Sequence, residues 1–290
     1  MHSSQFLRPA PDLKAFVRFY AQREIRIGGA AIPHPVPARA APMIEFTFGD
    51  PILVRYFKQL GSKKSPATVV VGPQTHRRLD LQLQGNVAAF VIMFQPDGLH
   101  RLFSIPMHEL TDQDYEAHAV LGAFIARVQQ RLGECTSFGE RARLIDEFLL
   151  HRALAAPRYD AISAAANQII RHAGRVAIAD LAGRAGLSMR QFQRRFIQRV
   201  GMRPKLFARI ARFEAALETK ACSDTMSWTE VAQEFGYHDQ MHMIHDFAEF
   251  AGETPTQTQI QLETLFMEQI SAIRAGRTGA ETVGESQLIL

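Results

Sequence analysis

The sequence predicts a mixed α+β chain: a small β-barrel-like or sandwich-like domain, a helical connector, and an all-helical module of two similar units joined by a long helix. Three observations carry this. Short β-branched and aromatic runs between glycine and proline turns crowd residues 1–111. Apolar residues recur at spacings of three and four across 112–157. One helical pattern is written twice within 158–256, and residues 257–290 follow as a further helix and a tail.

The 290-residue length and the 47% apolar fraction suit two globular domains with real cores. The first residues lack the apolar stretch of a secretory leader, and no run approaches the eighteen apolar residues of a membrane span. Cys135 and Cys222 are far apart and fit neither a disulfide framework nor a four-ligand zinc site. A cytoplasmic, membrane-free protein without metal or cofactor is the expectation.

Strands are expected at 43–48, 52–57, 67–71 and 87–94, where β-branched and aromatic residues cluster between Gly49-Asp50-Pro51, Gly61-Ser62, Gly72-Pro73 and Gly85-Asn86. Leu79, Leu81 and Leu83 alternate with polar residues, as in a strand with one wet face. Proline donates no ladder hydrogen bond, so residues 33–37 read as a loop or rim segment. Phe46, Phe48, Tyr56, Phe90 and Phe94 would line an effector pocket if the interior is hollow, and are plain core otherwise. Catalysis would have to rest on His34, Glu45, His76 and His100. These form no His-x-His pair or nucleophile motif, and Gly28-Gly29 is too short for a phosphate loop, so ordinary turn or surface histidines and no enzyme are expected.

Helices are expected from about 112 to a stop at Gly133 and from about 138 to 154, with Pro157 closing the segment. They either complete the first domain or form a connector that pairs subunits. Beyond 256 a helix is expected over 258–273, and then a frayed tail.

The duplicated pattern is the most informative feature. Leu181-Ala182, Gly186-Leu187, Phe192, Phe196, Gly201 and Pro204 recur as Val231-Ala232, Gly236-Tyr237, Met243, Phe247, Gly252 and Pro255. The offset is 50 as far as the glycine and 51 from Phe192 onward, so the second copy has one extra residue in or just before its second helix. The alanine lets two helices approach, the glycine supplies a tight turn, and the next apolar residue packs back into a three-helix core. This is helix-turn-helix logic. Ser188 can cap the following helix, whose Phe192 and Phe196 face inward at i, i+4. Met189, Arg190, Gln193 and Arg194, with Gln191 beside them, are left on the outer side, where a major groove would receive them.

Charge supports that orientation. Residues 171–220 carry twelve Lys/Arg against three Asp/Glu, whereas 221–256 carry seven Asp/Glu and no Lys/Arg. Arg184, Arg195, Arg199, Arg203, Lys205, Arg209 and Arg212 are therefore the candidate phosphate contacts. Leu206, Phe207, Ile210, Phe213 and Leu217 mark a rigid helix between the units.

The segment Ile178-x-x-Leu181-Ala182-x-x-x-Gly186-Leu187-Ser188-x-x-x-Phe192-x-Arg194-x-Phe196, continued by Gly201-x-x-Pro204, resembles the AraC/XylS family of transcriptional regulators. Gly236-Tyr237-His238-Asp239-Gln240, His242, Asp246-Phe247 and Gly252-Glu253-Thr254-Pro255 are similar to the family's second signature. The resemblance implies a double helix-turn-helix that binds duplex DNA. It carries base reading to Arg190, Gln193 and Arg194 in the first unit, and to Gln240, Met241, Ile244 and His245 in the second. The N-terminal part resembles the β-rich domain preceding such modules, with Phe94-Gln95-Pro96-Asp97-Gly98 and Leu110-Thr111-Asp112 as its signs. That implies a small-molecule effector or a homodimer.

The second unit departs from the pattern. Met241 and Ile244 offer only apolar contact, His245 stands where the family commonly has arginine, and no cation lies nearby. It is therefore expected to buttress the first unit more than to read DNA. His238, His242 and His245 read better as turn and helix residues than as a metal site. The alternatives are a helical scaffold that binds protein, or a ligand-binding barrel with enzymatic activity.

Overall fold

A computed structural model describes residues 2–223 and 225–263. The fold is mixed α+β. The N-terminal strands β1 (His2–Leu7), β2 (Val17–Pro35), β3 (Met43–Thr47), β4 (Leu53–Tyr56), β5 (Lys63–Lys64), β6 (Thr68–Val71) and β7 (Leu79–Phe94) belong to one antiparallel sheet. Helices α1 (Gly98–Phe103) and α2 (Met107–Leu110) lead to an edge strand, β8 (Asp114–Glu116), and the order is β1-β2-β7-β3-β6-β8. β4 pairs with the first half of β7, and β5 pairs with β4.

Two expectations change here. Gly85-Asn86 does not separate two strands, because β7 runs through it with β2 alongside, and the register shifts between Ile27 and Ile32. Pro33 and Pro35 are not in a loop. They lie within β2 opposite Gln82 and Asp80 of β7. β1 pairs with residues 20–25, and among the described residues no strand flanks this half of β2 on that side, so a missing N–H costs no ladder bond there.

Three further helices follow: α3 (Ala117–Leu121), α4 (Phe124–Glu134) and α5 (Phe138–Ala153). Ile125, Val128 and Leu132 of α4 and Phe138, Ala142, Ile145 and Leu149 of α5 are buried in one core with Phe46, Phe90 and Phe94 of the sheet. Phe138 meets Phe90 edge-on at 5.8 Å, and the Tyr20 hydroxyl donates to Asp146 at 2.7 Å. Residues 124–153 thus share the interior of the first domain.

The C-terminal module comprises α6 (Ala161–Arg171), α7 (Ile178–Arg184), α8 (Met189–Val200), α9 (Pro204–Cys222), α10 (Trp228–Glu234), α11 (Gln240–Ala251) and α12 (Pro255–Glu263). Asp160 starts α6 by accepting from the Ile162 and Ser163 amides. The helix expected over 258–273 is described as far as Glu263. Its remaining positions, Leu265, Phe266 and Ile270 among them, lie outside the described residues. Among the described residues no helix is long and apolar enough to cross a membrane.

The two domains are joined through side chains and backbone. Ala38 and Ala40 belong to the core of the helical module, and the Ala38 amide donates to Phe250 O at 2.8 Å. Arg77 donates to Ala251 O at 3.2 Å, and the Thr111 hydroxyl to Gly201 O at 2.8 Å. Ser163 donates to Asp97. Gly201 has φ 96°, and a Cβ there would lie 2.6 Å from Thr111 Oγ1 and 2.8 Å from Pro73 Cγ, so only glycine permits this approach.

His34 corrects the expectation of surface histidines, since it is only 3% exposed. Burial, and then the nearby Arg23 charge, lowers its pKa from 6.5 to about 3. The unfolded chain therefore takes up a proton below pH 6.5 that the folded chain refuses, so stability falls as the pH drops from 6.5 towards 3. Between pH 6.5 and 5 the wild type should lose about 2 kcal/mol relative to His34→Gln, read from urea midpoints at each pH. Parallel pH profiles for the two proteins would contradict this.

Candidate nucleic-acid interface

Helices α7 and α8 form the first helix-turn-helix. The turn between them contains Gly186 at φ 63°, conformational space that a side chain enters at a cost. Ser188 then begins α8 with a reciprocal cap: Gln191 N donates to Ser188 Oγ at 3.3 Å, and Ser188 N donates to Gln191 Oε1 at 3.1 Å. Gln191 is thus committed to the helix start. Leu181, Ala182, Phe192 and Phe196 are buried, with Leu187 packed against them. The Phe192 and Phe196 rings stand 5.7 Å apart, and Phe196 meets Phe207 of α9 at 5.4 Å.

With one stripe of α8 fixed inward, Arg190, Gln193 and Arg194 stand exposed on the other. They share a cleft of about 470 Å³ with His108, Ile197, Gln198 and Arg203, and among the described residues no carboxylate lines it. Arg184, Arg195, Arg203 and Lys205, four of the seven candidate phosphate contacts, are also exposed, with Arg184 Nε donating to Asp180 O at 3.4 Å.

The other three are engaged within the protein. Arg199 pairs with Asp160 at 2.7 Å. The Arg212 guanidinium lies 5.3 Å from the Tyr237 ring centre. Arg209 pairs at 2.6 Å with both Asp246 and Glu249 of α11 and also lies over Phe250. Burial acts to lower the Arg209 pKa, but its hydrogen bonds and the two carboxylate charges outweigh that and raise it, holding the cation in place.

The second helix-turn-helix repeats the frame with a different surface. Ser227 and Glu230 form a capping box on α10, and Asp239 caps α11 by accepting from His242 N at 2.7 Å. Ser188 and Asp239 stand 51 residues apart, whereas α7 and α10 start 50 apart, which places the extra residue in the turn, around His238. Gly236 has φ 65°, matching Gly186. Val231, Ala232, Tyr237, Met243 and Phe247 are buried. Gln240, Met241 and His245 are exposed and Ile244 is half-buried. His238 pairs with Asp239 at 3.1 Å, and among the described residues no group of three or more His, Cys, Asp or Glu could hold a metal ion.

The aromatic residues considered for an effector pocket differ in burial and partners. Phe46, Phe90 and Phe94 are fully buried in the first core. Phe48 is half-buried under the Arg141 guanidinium at 4.7 Å, and the Tyr56 hydroxyl donates to Asp114, with Arg78 over its ring. His76 is 3.9 Å from Asp112, and the His100 ring is held by Ile105 O at 2.7 Å.

Residues 181–261, which include both turns, match the helix-turn-helix domain family. That stretch of the chain is a helix-turn-helix domain. Residues 5–116 match a second family, a domain of unknown function designated DUF6597. Among solved structures, ToxT from Vibrio cholerae O395 is 11% identical over 84% of this chain and 98% of its own, with a TM-score of 0.49. Wild-type ToxT from strain SCE256 of the same organism, bound to an unsaturated fatty acid, is 10% identical over 90% and 97%, with a TM-score of 0.48. No curated protein matches the chain.

Proposed function

We propose that this chain is a DNA-binding transcriptional regulator of the AraC type and that it reads DNA chiefly through its first helix-turn-helix. Arg190, Gln193 and Arg194 of α8 meet base edges, while Arg184, Arg195, Arg203 and Lys205 hold the backbone. The observation that carries this reading is the asymmetry between the two reading helices. The α8 face opens into a cleft lined by three arginines and, among the described residues, no carboxylate. The α11 face offers Gln240, Met241 and His245, and Arg209, the cation packed against that helix, is neutralised by Asp246 and Glu249. Guanidinium groups recognise guanine bidentately and amides recognise adenine, whereas methionine and isoleucine offer only apolar contact to a thymine methyl. The second unit then braces the first through α9.

The N-terminal domain governs how the module is presented, through a small-molecule effector or a homodimer. The route is physical: Thr111 grips the C-terminal end of α8 at Gly201, and Arg77 grips that of α11 at Ala251. A change in the first domain therefore reaches both reading helices.

The test compares two double variants on duplex DNA selected by the protein from a random library. Gln240→Ala with His245→Ala should weaken binding less than tenfold, well short of the loss from Arg190→Ala with Arg194→Ala. Equal losses would assign reading to both units.

A further inference from the structure

We propose that α2 of the N-terminal domain is part of the DNA-binding surface, and that His108 donates a hydrogen bond to a backbone phosphate flanking the groove read by α8. The inference rests on α8 being the reading helix. Helix α2 lies against α8, and its placement is fixed at several points. Met107 is fully buried, and the Thr111 hydroxyl donates to Gly201 O at 2.8 Å. The missing side chain at Gly201 permits the contact. Asp97, which precedes α1, accepts from Ser163 of α6, so the wider platform is tied to the same module.

His108 stands exposed on this platform and lines the same cleft as Arg190, Gln193, Arg194 and Arg203. Glu109, its neighbour on α2, is exposed but does not line the cleft. A duplex whose bases meet Arg190 and Gln193 brings its phosphate strand along the cleft wall. There a neutral imidazole supplies one N–H donor and a protonated one supplies two. Phosphate contacts set register and orientation without carrying sequence information. His108 is accordingly a positioning residue, and it makes the domain arrangement described here the one that engages DNA.

The test uses full-length protein and the selected duplex, with single phosphates replaced in turn by uncharged methylphosphonates. For wild type, one replacement beside the α8 groove should weaken binding about threefold to tenfold. His108→Ala should weaken binding to the unmodified duplex by the same factor, with unchanged base preference, and should become indifferent to that one replacement. His108→Glu should weaken binding further, because a carboxylate then faces the phosphate. An identical methylphosphonate profile for wild type and His108→Ala would overturn the proposal. So would tighter binding by His108→Ala, which would mean that α2 obstructs DNA. Failure of the α8 assignment looks different: Arg190→Ala with Arg194→Ala would then keep the base preference whatever His108 does.

Discussion

Replacing Arg190 and Arg194 together by alanine is expected to reduce affinity for the selected duplex on the order of 30- to 10,000-fold, while leaving the fold intact. Both side chains are exposed on the outer stripe of α8, so no core contact is lost with them. A bidentate arginine–guanine contact contributes about 1–3 kcal/mol of discrimination, and two such contacts give that range. The residual binding should be insensitive to sequence and steeply sensitive to salt, since the exposed Arg184, Arg195, Arg203 and Lys205 remain as the proposed phosphate contacts. A fluorescence anisotropy titration at two salt concentrations measures both properties, with the thermal midpoint as control. A double variant that keeps its base preference would remove α8 from the reading role.

Phe213→Ala is expected to have the largest effect on stability. Its ring is fully buried in α9 and meets Phe247 edge-on at 4.8 Å and Phe250 at 5.6 Å. Removing a buried phenyl group costs about 3–5 kcal/mol, as lost transfer energy and the cavity left behind. For a protein of this size that lowers Tm by roughly 6–20 °C. The damage falls on the second unit, because Phe247 and Phe250 both belong to α11. DNA affinity measured well below Tm should therefore drop less than tenfold if that unit serves as a brace. Calorimetry and titration on one preparation separate the two effects. A collapse of affinity at temperatures where the variant is folded would show that α11 takes part in reading.

Much of the helical module could be read from the residues alone because its determinants are local. The glycine turns, the Ser188 cap and the inward stripe of Phe192 and Phe196 all act within a few positions of one another. The 50-to-51 change of offset located the extra residue, and the structure puts it in the turn before α11. What the sequence concealed depends on distant partners. Arg199, Arg209 and Arg212 looked like the other basic residues, yet the groups that engage them, Asp160, Asp246, Glu249 and Tyr237, lie 25 to 40 positions away. The strand containing Pro33 and Pro35 was hidden for a similar reason. Pairing with β7 on one side, with no strand on the other among the described residues, makes prolines acceptable there. His108 carries no local signal at all, because it is a single histidine on a four-residue helix, brought beside α8 by tertiary packing.

The most direct measurement is a footprint of the full-length protein on its selected duplex at two salt concentrations. Protection of one major groove per chain is expected, fading as salt rises, with flanking phosphates protected on the side where α2 lies. Protection of two adjacent major grooves per chain, one of which is lost in the Gln240→Ala, His245→Ala variant, would contradict it and make the second unit a reader in its own right.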